Sequence, residues 1–401
     1  MNIEKKKSNN KFCAVNNTEL MFFNEDKSPS IIPIHKVINT FNVKELNKIT
    51  TKTNLTIQEY LFEEPVFIHS FNTANKKITL NKIKSILHYT NLKDLYRIRP
   101  HLLHPFDITQ RNCIIDNDQN ITNLDLQNIN NTTLLKNNKY FGKRIEMLPE
   151  VELELTMDLG FIFGQWYSRG FIDKSTKQLP RFTWVSLEED SHNLLSLINK
   201  RIKTCVFHRG RIDGEKYEYI QIIDANFNQK LSEIFISNKN FVEWIYSAPY
   251  SFLNGLIYGI FFTNGTISFN KDKTKSYMTI KFLNQTLAER FSDLLNIKYN
   301  LQGTLSLVPD KKYCKVSFQF NKSFFKIIEN GFEYRYITNA NKKSLLQEIK
   351  DNISLAEYDN SSFTNCNFKV QKLTYNTGYN FKIFNSSSYS LLNGIMVPSL
   401  Q

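Results

Sequence analysis

An internal repeat constrains what this chain can fold into more than any other feature. Residues 161–170 read FIFGQWYSRG, and residues 256–265 read LIYGIFFTNG. Each copy has three apolar residues, a glycine, one variable residue, two aromatic residues, Ser or Thr, a polar residue and a closing glycine. The inner glycines, Gly164 and Gly259, are 95 residues apart (259 − 164). Two copies in register indicate an internal duplication.

Each copy predicts a buried helix, because it is apolar nearly all round. Its inner glycine leaves a notch in which another backbone can approach closely. We expect the closing glycines, Gly170 and Gly265, to end the two helices in the left-handed conformation. Packing the two helices against each other would place Arg169 of the first copy beside Asn264 of the second, at paired tips that face a shared site.

This constellation resembles the LAGLIDADG family of homing endonucleases in its two-motif, single-chain form. The resemblance implies that the two helices form the interface between two pseudo-symmetric halves. It also implies an acid just before each closing glycine, where the family binds the divalent metals that cut DNA. These positions hold Arg169 and Asn264, so both family acids are substituted. Lys239 resembles a lysine that some intein-borne members place near the scissile phosphate; a solvated surface charge is the alternative interpretation.

The substituted residues suit magnesium poorly. Phosphodiester hydrolysis with Mg²⁺ needs hard oxygen ligands, usually carboxylates. Asn264 offers a neutral amide oxygen, whereas Arg169 has no acceptor atom and brings a positive charge. We therefore predict no metal ligands here, with Mg²⁺ as a cofactor only if endonuclease activity survives. Alternatively, Arg169 and Asn264 cap the paired helices, with Arg169 facing carbonyl dipoles.

The segments that follow the two motifs predict the same order of elements. In the first half the patterns predict strands at 181–187, 204–208 and 217–223 and helices near 191–202 and 229–236. In the second half they predict strands at 266–269, 277–282, 302–308 and 314–320 and helices near 285–295 and 322–329. Both halves therefore read αββαββα.

The chain is basic, with a net charge of +13 and an isoelectric point near 9.2. This excess of positive charge favours a polyanionic binding partner. The resemblance implies that each half lays the exposed face of a curved sheet in the major groove of double-stranded DNA. The candidate DNA-binding residues are Arg181, Arg209, Arg211, Lys271, Lys273, Lys275, Lys281, Lys312 and Lys315. Basic side chains on strand faces and hairpin tips suit phosphate contacts and groove readout. Alternatively, these residues are basic only because exposed turns are usually polar and because the composition is rich in lysine.

Both ends of the chain resemble the Hint fold of inteins. Short segments that alternate with period two predict an all-β domain. Cys13 matches the residue with which inteins attack their preceding carbonyl, and residues 108–112 match the Thr-x-x-His block. Asn393 and Gly394 match the last intein block, although they are also a plain hairpin turn. The splicing-equivalent positions are Cys13, Thr109, Asn112 (in place of the block's His), and Pro398 and Ser399 (in place of the terminal His-Asn pair).

The predicted fold class is multidomain: an all-β Hint domain is split by an inserted α+β LAGLIDADG domain of two pseudo-symmetric αββαββα repeats. The predicted segments are a leader (1–12), the Hint N-terminal half (13–150), repeat 1 (151–245), repeat 2 (246–365) and the Hint C-terminal half (366–401). The five scattered cysteines predict neither a zinc site nor a disulfide framework. Without a run of eighteen apolar residues, we expect no membrane partner and an intracellular monomer, nuclear if the host is eukaryotic.

The sequence is compatible with three functions. The first is an intein-derived protein that binds duplex DNA and has lost, or nearly lost, endonuclease and splicing activity. The second is an active, metal-dependent, site-specific endonuclease whose ligands lie elsewhere. The third is a Hint-type autoprocessing or protein-interaction module with no role on DNA.

Overall fold

The computed structural model of the 401-residue chain describes residues 18–51, 54–72, 75, 77–92, 95–100, 106–109, 113–115, 121–123, 133–135, 140, 142–173, 181–202, 207–211, 217–234, 243–301, 303–307, 313–333, 340–352, 363–365, 368–374, 376–386, 388–393 and 395–399. These residues form two compact units. Unit 1 takes its residues from 1–143, 295–300 and 360–401, and unit 2 from 144–294 and 301–359. No helix in the described ranges is long and apolar enough to cross a membrane.

The strands are β1 (Glu19–Phe23), β2 (Pro29–Pro33), β3 (Val43–Thr50), β4 (Thr56–Phe62), β5 (Phe67–Asn72), β6 (Lys77–Thr90), β7 (Leu95–Pro100), β8 (Phe106–Thr109), β9 (Cys113–Ile115), β10 (Ile121–Asn123), β11 (Thr133–Leu135), β12 (Met147–Leu148), β13 (Leu153–Glu154), β14 (Phe171–Asp173), β15 (Arg181–Leu187), β16 (Phe207–Arg211), β17 (Tyr217–Ile222), β18 (Gly265–Phe269), β19 (Ser276–Phe282), β20 (Gly303–Leu307), β21 (Cys314–Gln319), β22 (Phe363–Asn365), β23 (Phe368–Lys372), β24 (Thr377–Ile383), β25 (Ser388–Ser390) and β26 (Met396–Pro398). The helices are α1 (Val37–Thr40), α2 (Met157–Arg169), α3 (Glu188–Arg201), α4 (Ala225–Ile234), α5 (Tyr250–Asn264), α6 (Gln285–Tyr299), α7 (Lys322–Glu333) and α8 (Ala340–Asn352).

Unit 1 is built mainly from strands and joins the two ends of the chain. Its largest sheet has the order β2-β1-β5-β6-β4-β3, with β24 also paired to β6. The pairs β23–β7 and β22–β11 likewise join late strands to early ones. Phe381 of β24 is fully buried in the same cluster as Phe22 of β1 and Ile86 of β6. The core of unit 1 therefore depends on residues from both ends of the chain.

Unit 2 contains two sheets with the same topology. One has the order β14-β15-β17-β16 and the other β18-β19-β21-β20, both antiparallel throughout. Along the chain the elements run α2-β14-β15-α3-β16-β17-α4 and then α5-β18-β19-α6-β20-β21-α7. The predicted αββαββα order of both halves is thus confirmed. Helix α8 follows the second half and was not predicted.

The start of α2 follows ordinary capping chemistry. The Thr156 hydroxyl accepts a hydrogen bond from the Leu159 amide (3.3 Å), which satisfies one of the backbone donors that a helix leaves open at its first turn. Asp158 places a negative charge in that turn, as the helix dipole favours. The Trp184 indole then donates to the Ile162 carbonyl (2.9 Å), which ties the first sheet to α2.

The expected left-handed ends of α2 and α5 are wrong. Gly170 has φ −71° and ψ 170°, and Gly265 has φ −84° and ψ 143°, so both are extended. The reason is that β14 begins directly after Gly170 and β18 begins at Gly265. The chain must therefore be extended where each helix ends. These glycines instead prevent crowding: a Cβ on Gly170 would lie 2.7 Å from the Thr183 carbonyl oxygen, and one on Gly265 would lie 2.6 Å from the Phe261 carbonyl oxygen.

Candidate nucleic-acid interface

Helices α2 and α5 pack with their backbones in contact. A Cβ on Gly164 would lie 2.9 Å from Gly259 Cα, and a Cβ on Gly259 would lie 2.8 Å from Gly164 Cα. Each would also collide with a carbonyl oxygen of the facing helix, that of Leu256 or Phe161. The predicted glycine notches are therefore confirmed, and no larger residue fits at either position without separating the helices.

A second glycine pair extends the same contact, and sequence reasoning missed it. A Cβ on Gly160 would collide with the Phe252 carbonyl oxygen, and a Cβ on Gly255 with the Met157 carbonyl oxygen. Gly160 and Gly255 are again 95 residues apart (255 − 160), as the repeat requires. The spacing of four residues to the inner glycine of each copy was a usable signal, since small residues at this interval form one face of a helix.

The ends of the two helices are tied to each other by side chains. Arg169 donates through Nε to Asn264 Oδ1 (3.4 Å) and through Nη2 to the Thr263 carbonyl oxygen (3.0 Å). In return, Asn264 Nδ2 donates to the Ser168 carbonyl oxygen (3.2 Å). Each side chain therefore caps the last turn of the facing helix, where carbonyl groups lack partners within their own helix. The repeat correctly placed Arg169 and Asn264 side by side.

Lys342 of α8 also caps the C-terminal end of α5. Its Nζ atom donates to the Phe261 carbonyl oxygen (2.8 Å) and to the Phe262 carbonyl oxygen (2.6 Å). It also lies 4.9 Å from the centre of the Phe261 ring. Burial, followed by the charge of Arg169, lowers the pKa of Lys342 to about 8. No motif marks this lysine in the sequence, because α8 follows the last element that the two halves share.

This arrangement does not fit a divalent metal. The last carbonyl groups of α5 already receive an ammonium group and a guanidinium group. A dication about 4 Å from either unit charge would be repelled by on the order of 8 kcal/mol at an effective dielectric constant near 20. Within the described ranges, no three His, Cys, Asp or Glu side chains converge on a point that could hold a metal. The side chains described at the helix ends therefore include no carboxylate set for magnesium.

The second sheet presents a polar face. Along β19 the side chains of Met278 and Ile280 are buried, while Thr279 between them is half-buried on the other side. Thr279 Oγ1 and Ser317 Oγ are 2.8 Å apart, and Thr266 Oγ1 donates to the Thr279 carbonyl oxygen (3.3 Å). We call this row, Thr266, Thr279 and Ser317, the hydroxyl row. Hydroxyl groups both donate and accept, so such a row can bind either phosphate oxygens or base edges.

Two lysines lie beside the hydroxyl row. Lys281 of β19 is directly opposite Lys315 of β21 in the antiparallel register. The Lys281 Nζ atom lies 5.7 Å from the centre of the Tyr313 ring. Like charges directly opposite each other on one face destabilise a sheet. A polyanion across this face would remove that repulsion.

The first sheet differs in burial, since the polar side chains described on it are bonded to one another and nearly inaccessible to solvent. Gln221 Nε2 donates to Thr183 Oγ1 (3.2 Å), and Arg181 Nη1 donates to Gln221 Oε1 (3.4 Å). Thr183 is 1% exposed and Gln221 is 8% exposed. Arg209 and Arg211 pair in register with Ile220 and Glu218, and their side chains lie outside the described residues. Among the side chains that the structure describes, those of the second sheet therefore form the more exposed polar face.

The remaining predicted residues fall in several places. Lys271, Lys273 and Lys275 are exposed at the β18–β19 turn, where Lys273 Nζ binds Glu348 Oε1 at 2.6 Å. Thr109 pairs with Leu95, and Pro398 pairs with Ser388. Ser399 is buried and donates to the Ser386 carbonyl oxygen (3.2 Å). The predicted positions outside the described residues are Cys13, Asn112, Lys239 and Lys312.

Comparisons with known proteins give partial likenesses. No family model matches the sequence, and no curated protein matches it. The N-terminal LAGLIDADG domain of DUF199/WhiA is similar over 48% of this chain and 87% of that chain, with 13% identity and a TM-score of 0.31. Mesophilic variants of the homing endonuclease I-DmoI match over 44% of this chain and 94% of theirs, with 13% identity and a TM-score of 0.32. I-DmoI in complex with DNA and Mn matches over 46% of this chain and 99% of that chain, with 13% identity and a TM-score of 0.31.

Proposed function

We propose that this chain is an intein-derived, homing-endonuclease-like protein that binds double-stranded DNA through unit 2 without a divalent metal. The observation that carries the proposal is the pairing of Lys281 with Lys315 beside the hydroxyl row on one sheet face. Two like charges held opposite each other are unfavourable until an anion lies over them. Hydroxyl groups next to them supply the donors and acceptors that DNA backbones and base edges require.

Loss of cleavage follows from the helix ends. Arg169 and Lys342 occupy the carbonyl groups there with positive charge, and Asn264 supplies the amide that bonds Ser168. None of these side chains offers the anionic oxygen that Mg²⁺ prefers. The protein is therefore expected to bind duplex DNA and leave it intact. An active endonuclease with ligands elsewhere stays the second candidate, because Lys239 lies outside the described residues.

The DNA-binding experiment compares two double variants of equal charge change. Lys281→Ser with Lys315→Ser removes the lysine pair, and Lys230→Ser with Lys326→Ser removes exposed lysines from the equivalent helices α4 and α7. Fluorescence anisotropy of a labelled duplex, measured over a range of salt in EDTA, gives the affinity and its salt slope. The first variant should reduce the magnitude of the slope by roughly 1.8, about 0.9 for each lost phosphate contact. Equal slopes for both variants would reject this face as the interface.

Cleavage is tested separately by nicking of supercoiled plasmid in Mg²⁺ or Mn²⁺. The proposal expects no nick above the background of a boiled sample. A reproducible nick would favour the active-endonuclease reading, and alanine substitution of Lys239 would then show whether that lysine takes part.

For unit 1 we propose a Hint-like domain, split by the insertion, that no longer splices. Three strand pairings between the two chain ends support a domain assembled across the insertion. Splicing ends with cyclisation of a terminal asparagine, and the Ser399 hydroxyl at that position cannot form a succinimide. Intact mass measurement after incubation with a thiol tests this proposal. Release of residues 1–12 would show that Cys13 still undergoes an acyl shift and would revive the autoprocessing alternative.

A further inference from the structure

The turn between β18 and β19 carries three lysines, and its backbone is held in one shape. Lys271, Lys273 and Lys275 are all exposed. The Lys273 amide donates to the Asn270 carbonyl oxygen (3.1 Å), and the Lys275 amide donates to Asn270 Oδ1 (2.8 Å). The Asn270 amide in turn donates to the Lys275 carbonyl oxygen (3.0 Å). Asn270 therefore closes the turn and fixes where the three lysine side chains begin.

The turn lies at the end of the strands that carry the hydroxyl row. Lys281 is five residues (281 − 276) from Ser276, the first residue of β19. Because a strand rises about 3.4 Å per residue, the polar face extends roughly 17 Å from Lys281 to the turn, about the length of five nucleotides of one DNA strand. Ser268 of β18 is exposed along this path and lies opposite Tyr277. A duplex that lies over the hydroxyl row would thus reach the turn lysines.

Lys273 already has an anionic partner within the protein. Its Nζ atom donates to Glu348 Oε1 at 2.6 Å, a short, charge-assisted hydrogen bond. Glu348 belongs to α8 and is half-buried, whereas Lys273 is largely exposed. Leu346 and Ile349, on either side of Glu348 in the sequence, are buried. The packing of α8 therefore holds this carboxylate in place beside the turn.

A DNA phosphate and Glu348 require the same ammonium group, because both offer anionic oxygen atoms as acceptors. Phosphate contact at Lys273 would either break its bond to Glu348 or place two anions beside one ammonium group, and those anions repel each other. An exposed ion pair typically changes an equilibrium by up to about fivefold. DNA can therefore overcome the contact with Glu348, and its effect on affinity is large enough to measure.

We propose that Glu348 competes with the DNA backbone for Lys273, so that α8 holds back one phosphate contact at the β18–β19 turn. The proposal rests on the proposed DNA-binding function, but it concerns the turn and not the pair of Lys281 and Lys315. Helix α8 follows the last element that the two halves share, so this control belongs to the second half. The protein therefore binds duplex DNA more weakly than its second sheet and turn would without α8.

The experiment measures duplex affinity and its salt slope by anisotropy in EDTA, on variants of the full chain. Glu348→Gln keeps the size of the side chain and removes its charge. The matched control, Asp351→Asn, makes the same charge change at an exposed position of the same helix. Glu348→Gln should raise affinity about threefold and increase the magnitude of the slope by roughly 0.9, because Lys273 gains a phosphate contact. Asp351→Asn should change affinity by less than about 1.5-fold and leave the slope unchanged, because it releases no lysine.

Lys273→Met shows whether the gain in affinity passes through this lysine. Glu348→Gln added to Lys273→Met should have no larger effect than Asp351→Asn, since no ammonium group is left to release. Far-UV circular dichroism confirms folding of each variant. Glu348→Ala places a strong helix former at the same position and should give the same gain as Glu348→Gln.

The possible outcomes separate this competition from the proposed function. Equal effects of the Glu348 and Asp351 variants, or a gain that persists in Lys273→Met, would overturn the competition while leaving DNA binding in place. Absence of wild-type binding to any duplex would reject the proposed function itself.

Discussion

Replacing Gly164 by alanine tests the backbone contact between α2 and α5. In an isolated helix this change would stabilise by about 1 kcal/mol, because alanine is the better helix former. Here the new methyl group would lie 2.9 Å from Gly259 Cα and 3.0 Å from the Ile260 amide nitrogen, besides colliding with the Leu256 carbonyl oxygen. These are backbone atoms, which cannot rotate away. Overpacking of this kind costs about 3 kcal/mol, so we expect a net loss of about 2 kcal/mol.

Tryptophan fluorescence reports this loss for unit 2 alone. The three tryptophans are Trp166, Trp184 and Trp244, and all belong to unit 2. For a unit of this size, 1 kcal/mol shifts the melting temperature by roughly 2–4 °C, so the fluorescence transition of Gly164→Ala should fall by roughly 4–8 °C. The control is Ser251→Ala at an exposed position of α5, which should change stability by less than about 0.5 kcal/mol.

The partner substitution adds a second test. Gly259→Ala should cost a similar amount, because the contact is reciprocal. The double variant should lose less than the sum of the two, since the first methyl group already separates the helices. Unchanged or raised stability of Gly164→Ala relative to Ser251→Ala would refute the backbone contact.

Two further predictions follow from the same structure. Residues 1–143 expressed without 360–401 should be insoluble or molten, because Phe381 of β24 fills the core of unit 1. A cooperative thermal transition of that fragment, followed by circular dichroism, would contradict this prediction. The double variant Arg169→Asp with Asn264→Asp should show no Mn²⁺ binding in calorimetry, because the Lys342 ammonium group still repels the ion. Adding Lys342→Met should allow binding. Mn²⁺ binding by the double variant alone would place Lys342 away from the ends of α2 and α5.

Local patterns in the sequence determined the larger elements of unit 2. The alternation over residues 181–187 predicted a strand with the bounds that β15 has. The apolar decapeptides predicted α2 and α5, and their inner glycines predicted a close contact. Such signals are readable because they arise from contacts within one element or from the duplication itself, which repeats every contact at a fixed offset.

The chemistry of the helix ends was decided only by the tertiary structure. Gly170 and Gly265 are extended because strands begin there, although each closing glycine by itself is typical of a left-handed helix end. Lys342 is one lysine among many in the sequence, and it becomes distinctive when folding places its ammonium group on the α5 carbonyl groups beside Arg169. Likewise, Lys281 and Lys315 oppose each other only through strand register. Propensity and periodicity act over a few residues, whereas burial and the meeting of charges depend on contacts between distant segments, which exist only in the folded chain.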